Sequence, residues 1–292
     1  MFTGLSPLRF FVVVMLYFLM LLGITVWSSS VDSTINISPD KLFFLKIVQA
    51  ISVLMVFIIP ALLFALFFSE EKLYYFRLNK FPSFIVVILS CVLIISSLPF
   101  ISYLEGLNKS MSLPAAFSGL EHWMKASEDK VQQIEEAFMK NQTISDLLMN
   151  LFVIAFMAAL SEELFFRGLI QRSMLNLSKN VHVSVWVTAV LFSAFHMQFY
   201  GFIPRVILGA ILGYIYVWSG SLWTSIIVHF LNNGLVLIVS YLVSSNVISK
   251  SVEDVGMDGD KVTLVWAIPS LLLMGCCLFL LNKMKTPLSP AG

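Results

Sequence analysis

Charged residues are scarce in this 292-residue chain. Asp, Glu, Lys and Arg make up 12% of it, where a soluble globular domain carries roughly 25%. So small a fraction does not cover a surface that faces water. With 59% apolar residues and a mean hydropathy of +0.91, the solvent for much of the surface has to be lipid. An excess of one sign of charge is also missing. Eighteen Lys and Arg against seventeen Asp and Glu leave a formal net charge of +1, which removes the electrostatic footprint of a nucleic-acid-binding protein. There are only three cysteines, Cys91, Cys276 and Cys277, all inside apolar runs and none at CxxC spacing. They imply neither a disulfide framework nor a metal site. Internal repeats and low-complexity tracts are lacking as well.

What the chain does have is long apolar runs. A spanning helix takes about 20 mostly apolar residues, and eight segments qualify: 10–27, 43–68, 83–104, 147–170, 182–199, 202–218, 222–243 and 262–282. The expected fold is all-α, a polytopic membrane helix bundle of about eight transmembrane helices. The first run is longer than the roughly 7–15 residues of a signal-peptide core, and only Arg9 precedes it, so it is expected to remain as an uncleaved span. Arg9, Lys72, Arg77, Lys80, Arg172, Lys179, Lys283 and Lys285 all fall on one side of this alternation. By the bias of Lys and Arg toward the cytoplasm, both termini are expected there, with 28–42, 105–146 and 244–261 opposite.

The chain divides by this reading into three parts. Residues 1–146 form an N-terminal three-span region, 147–245 a core bearing the chemistry, and 246–292 the last span with a short tail. Within 105–146, Leu120, Trp123, Met124, Val131, Ile134 and Phe138 recur at helical spacing among Glu128, Asp129, Glu135 and Glu136. This is the pattern of an amphipathic helix. It can lie in the membrane interface, cover the mouth of a cavity, or be a solvated connector.

Ionisable groups inside spans cost about 2.5–3.5 kcal/mol each at mid-bilayer and are functional candidates by default. They cluster in three places. The fourth span holds Ser161-Glu162-Glu163-Leu164-Phe165-Phe166-Arg167-Gly168. Glu163 and Arg167 are four residues apart and share a helix face, so they are expected to pair. Glu162 points about 100° away without a local cation, placed to act as a proton acceptor. The fifth span contains Phe192-Ser193-Ala194-Phe195-His196, and the seventh carries His229-Phe230-Leu231-Asn232-Asn233. His229 and Asn233 project together. Each group taken alone is also explained by packing: a Glu–Arg clamp, a satisfied core histidine, a polar pair bonding a neighbouring helix. At about 1.5 Å per residue, Glu162 and His196 lie at one depth and His229 and Asn233 shallower. All four share a cavity if the 218–222 turn is sunk into the membrane.

Taken together, the three groups resemble the CAAX-protease and bacteriocin-processing family of intramembrane proteases, which includes the type II prenyl endopeptidase. Its pattern of EExxxR, FxxxH and HxxxN reads here as Glu162 to Arg167, Phe192 to His196 and His229 to Asn233. The resemblance covers about 150–245. It implies an intramembrane endopeptidase of a prokaryotic plasma membrane, surrounded by lipid and acting on a peptide or protein substrate. Glu162 and His196 would activate a water, His229 and Asn233 would stabilise the oxyanion, and Glu163 and Arg167 would orient the site. Glu162, His196 and His229 also make a two-imidazole, one-carboxylate set attested for zinc. The HExxH helix of soluble metalloproteases is absent, and Asn233 is a poor zinc ligand. Metal-assisted and metal-free hydrolysis both stay open. A non-proteolytic immunity or regulatory protein of the same fold is the first alternative. A proton-coupled transporter is the second, and it predicts inverted repeats and broken helices.

Overall fold

The computed structural model describes residues 39–68, 75–139, 143–249 and 261–285. The expected first span 10–27, Arg9, Lys72, the tail after Lys285 and most of the 28–42 and 244–261 loops lie outside them. Among the described residues the structure is entirely helical. Eight helices follow one another: α1 (39–68), α2 (Phe84–Lys109), α3 (Ser118–Met139), α4 (Ile144–Ser178), α5 (Val181–Phe195), α6 (Phe202–Ser219), α7 (Leu222–Ser244) and α8 (Lys261–Lys283). Six are long and apolar enough to cross a membrane: α1, α2, α4, α6, α7 and α8. The chain is a multi-pass membrane protein. Large apolar side chains such as Phe44, Leu66, Val265 and Leu272 stand on the outside of the bundle, a surface suited to lipid rather than to water.

The helix boundaries follow from local chemistry. Thr143 opens α4 with a capping box: its hydroxyl accepts from the Asp146 N–H at 3.2 Å, and the Asp146 carboxylate accepts from the Thr143 N–H at 3.0 Å. Asn180 caps α5, its Oδ1 accepting from the N–H groups of His182 at 2.9 Å and Val183 at 3.2 Å. Lys179 (φ 54°) ends α4 and Gly220 (φ 67°) ends α6, both left-handed. Such a residue reverses the chain in a minimal turn, so α4–α5 and α6–α7 are tight antiparallel hairpins. In α2, Pro99 interrupts the helical ladder. Ser270 of α8 enters the gap, its hydroxyl donating to the Ser96 carbonyl at 2.5 Å and accepting from the Phe100 N–H at 3.1 Å. That repair ties α2 to α8, the most extensively packed pair of helices in the bundle.

Two departures from the sequence expectation bear on the site. The expected fifth span, 182–199, is shorter than its apolar run. The helix stops at Phe195, and His196 stands at its end rather than within it. The His196 ring takes the Phe192 carbonyl as a partner and Met197 turns left-handed (φ 55°). A short turn, Phe199–Gly201, then leads into α6. The expected amphipathic segment also contracts to Ser118–Met139, because residues 105–109 continue α2. α3 covers the end of the bundle where α5 stops. Trp123 packs on Phe199 with ring centres 5.6 Å apart, Glu128 accepts from the Tyr200 N–H at 3.0 Å, and the Phe138 carbonyl accepts from Asn150 of α4 at 3.0 Å.

At the other, basic end, residues 75–81 are fastened across the bundle. Arg172 donates to the Tyr75 carbonyl, Ser221 to the Lys80 carbonyl at 2.6 Å, and the Trp223 indole to the Leu78 carbonyl at 2.9 Å. The 218–222 turn is thereby covered: Ser221 and Leu222 are buried.

Candidate active site

α4 is not a regular α-helix. Residues 158–163 are α-helical, and the stretches Leu151–Met157 and Leu164–Gln171 on either side have the wider π-helical turn. Such turns gather at functional sites because they re-aim side chains. Here they bracket Glu162 and Glu163.

Glu163 and Arg167 are both fully buried and paired, Arg167 Nη1 donating to Glu163 Oε1 at 2.7 Å. Arg167 Nη2 donates to the Gly209 carbonyl of α6 at 3.0 Å, and its guanidinium lies 4.8 Å from the Phe192 ring centre. One turn on, Gln171 makes the matching bond to the Gly213 carbonyl at 3.0 Å. α4 thus grips α6 through two side chains four residues apart, acting on two carbonyls four residues apart. A Cβ at Gly209 would sit 3.2 Å from the Cα and Cβ of Ala189 and 3.3 Å from Phe192. This small residue lets α5 and α6 approach closely, as small residues do between membrane helices. Gly209→Val is expected to lower stability by about 1–3 kcal/mol through overpacking, because the Cα and Cβ of Ala189 are fixed to the backbone of α5 and cannot swing aside as the end of a flexible side chain can. Thermal unfolding in detergent reads it, and a melting temperature equal to that of the parent chain would refute the close-approach account.

Glu163 Oε1 has a second partner on a distant part of the chain: His229 Nδ1 of α7, 2.8 Å away. A carboxylate oxygen accepts here, so Nδ1 carries a hydrogen, and in the neutral ring Nε2 then presents a lone pair. His196 is fixed in the same way. Its Nδ1 donates to the Phe192 carbonyl at 2.8 Å, so in the neutral ring Nε2 presents a lone pair. Both free nitrogens face one atom, Glu162 Oε2, which lies 3.8 Å from His229 Nε2 and 3.9 Å from His196 Nε2. These separations are too long for direct hydrogen bonds, and this oxygen is buried with no hydrogen-bond partner among the described residues. Side-chain exposure is 28% at His196, 12% at Glu162 and 3% at His229. The cluster is therefore reached past His196, from the end that α3 covers. Phe192 underlies all of it, its ring centre 4.8 Å from that of His196 and 5.9 Å from that of His229.

The structure brings five of the six sequence candidates together: Glu162, Glu163, Arg167, His196 and His229. Asn233 sits one turn beyond His229, half-buried, and no hydrogen bond joins it to the other five. Its Oδ1 accepts from Asn232 Nδ2 at 3.2 Å, which leaves its own Nδ2 as a donor. Residues 144–235 match the family model described as type II CAAX prenyl endopeptidase Rce1-like. The Rce1-like match spans all six candidates and leaves the chain before and after it uncovered. A stretch of 102 residues is 26% identical to the uncharacterized protein YpbD of Bacillus subtilis (strain 168), covering 34% of this chain and 47% of that protein. The chain thus spans about half the length of the curated relative it matches. No solved structure matches it.

The chemistry of the cluster fits a cation in part. Two imidazole nitrogens and a carboxylate are donors used by zinc, and each imidazole is oriented through its other nitrogen, as metal-binding histidines usually are. Yet among the described residues no three His, Cys, Asp or Glu side chains stand at the spacing of a metal cage, so the three would have to draw inward. Two residues near the site carry no role in the sequence reading. Arg205 of α6 donates to both the backbone and the side-chain oxygens of Gln198, just beyond His196. Asn108 of α2 bonds the same linker. An arginine inside the apolar run 202–218 is a signal the sequence carries for the first. For Asn108 there is none, since it closes a long apolar helix as many polar residues do.

Proposed function

We propose that this chain is an intramembrane endopeptidase of the CAAX-protease type, acting on a peptide or protein substrate that enters from the membrane. The single observation that supports this most is the convergence of Glu162 Oε2 with Nε2 of His196 and of His229. Peptide hydrolysis needs a base for water and donors for the developing oxyanion. A water held between Glu162 and His196 gives a proton to Glu162, and its oxygen adds to the scissile carbonyl carbon. The charge that develops on the carbonyl oxygen is met by Asn233 Nδ2, and by His229 in its doubly protonated form, in which Nε2 also carries a hydrogen while Nδ1–H stays on Glu163. Glu163 supports His229 from behind as the acid of a triad supports its histidine. The proton held at Glu162 passes to the departing nitrogen as the C–N bond breaks, giving a carboxylic acid and an amine. Should a divalent cation such as zinc be resident, Glu162, His196 and His229 would hold it, and it would supply a polarised carbonyl or an acidified water.

The test compares peptides in membranes from cells making this chain with those from cells making Glu162→Ala. Peptides that accumulate uncleaved in the variant, and that the purified parent chain cleaves in detergent, support the reading. Identical peptide profiles together with inert purified protein would overturn it.

We further propose that the basic end faces the cytoplasm of a prokaryotic plasma membrane, with α3 on the outer side. Lys and Arg bias is the ground. Asn141→Cys is expected to react with an impermeant thiol reagent in intact cells, and Ser289→Cys only after lysis, in a background lacking the native cysteines. Both positions lie outside the described residues. Labelling of Ser289→Cys in intact cells would invert the topology.

A further inference from the structure

His196 is the most exposed member of the cluster and the only one whose helix ends at it. Its position depends on the linker that follows, residues 196–201, which is held by its own short backbone turns and by a set of side chains. Arg205 donates to the Gln198 carbonyl at 3.3 Å and to its Oε1. Gln198 Nε2 donates to Glu135 at 3.3 Å, and the Tyr200 N–H donates to Glu128 at 3.0 Å. Ser193 Oγ donates to the Phe202 carbonyl at 2.7 Å. At the centre is Asn108, which is 5% exposed. Its Nδ2 donates to the Phe199 carbonyl at 3.0 Å, and its Oδ1 accepts from the Ile203 N–H at 2.8 Å. One carboxamide therefore spans the turn after His196 and the first turn of α6, satisfying an acceptor on one and a donor on the other. No aliphatic side chain does that, and a buried backbone group left without a partner is costly.

We infer that Asn108 is a positioning residue for His196. It acts from α2, outside the segment 144–235 that the family model covers, and fixes the linker on which the imidazole stands. The inference rests on the endopeptidase reading for its kinetic consequence, but its structural consequence stands apart from it. Asn108→Ala removes both bonds and lets the linker drift, while Glu162, Glu163, Arg167 and His229 keep their own contacts. A misplacement of about 1 Å can cost on the order of 10²-fold in rate. The expected result is a fall in kcat of that order on a verified peptide substrate, with KM close to that of the parent and a melting temperature lowered by the two lost bonds but still that of a cooperatively folded protein. Asn108→Asp refines the test. Ionised, it keeps the acceptor for Ile203 but turns an oxygen toward the Phe199 carbonyl. Protonated, it restores both bonds. Its activity relative to the parent should therefore rise as pH falls, with Glu105, Glu128, Glu135, Arg205 and His196 the titratable and charged neighbours present in both proteins.

A readout independent of proteolysis separates the two claims. Carbethoxylation of His196 by diethyl pyrocarbonate, followed by mass spectrometry, should be faster in Asn108→Ala than in the parent, since the freed linker exposes the ring. If no substrate is ever cleaved, the endopeptidase reading fails while this measurement still decides the role of Asn108. Parent-like kcat and an unchanged modification rate in a folded Asn108→Ala would overturn the inference. So would failure of both variants to fold, because a positioning residue is dispensable for the fold.

Discussion

Glu162→Gln is expected to fold, bind substrate and fail to cleave. Glutamine keeps the shape of the side chain and can turn its amide N–H toward the free nitrogens of His196 and His229, but it no longer accepts a proton from water. Glu162 makes no hydrogen bond on which the helix packing depends. Its Oε2 has no partner within bonding distance, and both nearby imidazoles are held through their other nitrogen, by Phe192 and Glu163. The substitution therefore leaves the scaffold intact. A positioned acid–base group contributes about 10²–10⁴-fold, and a residue that also holds the attacking water is expected at the upper end. The loss should fall on kcat and kcat/KM together, with substrate binding retained. His196→Ala should fail to a similar degree, and the double variant should be scarcely worse than either single one, because base and water-holder act as a unit. Turnover near that of the parent in Glu162→Gln would remove the main support for proteolysis at this cluster.

Arg167→Ala is expected to damage the fold as well as activity. Three contacts disappear at once: the ion pair to Glu163 at 2.7 Å, the bond to the Gly209 carbonyl at 3.0 Å, and the stack over Phe192. The Glu163 carboxylate would then be left fully buried without its cation, facing only His229. Breaking a buried pair by removing one partner costs about 3–5 kcal/mol, a large part of the net stability of most proteins. Lower accumulation in the membrane and a depressed melting temperature in detergent should both follow. Arg167→Lys should recover only part of the loss, since an ammonium cannot reproduce the planar fork that serves Glu163 and Gly209 together. A melting temperature equal to the parent's in Arg167→Ala would show that the carboxylate is neutralised by some other route.

The Glu163–Arg167 pair was legible in the chain because it is local. Four residues along one helix fix which side chains meet, whatever surrounds the helix. The apolar runs were legible for the same reason: the length of lipid to be crossed and the rise per residue set the count. The end of α5 was not. The run through Phe192, Phe195, Phe199 and Tyr200 stays mostly apolar past His196, and the lone Gln198 within it does not by itself mark a break. The break comes from the His196 ring bonding back to Phe192, and from Asn108, Glu128 and Arg205 holding the chain that leaves. Those partners are 91, 72 and 7 residues from the linker atoms they bind.

By itself, then, the sequence determined a lipid-embedded helical bundle and where its ionisable residues fall along the spans, because hydrophobic length and helical period are properties of a single segment. Only the tertiary structure decided that His229 rests on Glu163, 66 residues away, that the other nitrogen of each imidazole faces Glu162, and that Asn233 pairs with Asn232 and makes no hydrogen bond to them. Those choices follow from how closely α4, α5, α6 and α7 approach, which turns on Gly209 against Ala189 and on Arg167 and Gln171 gripping the carbonyls of α6. Contact between helices is set by the fit of their surfaces, and the order of residues along one helix does not encode the surface it will meet.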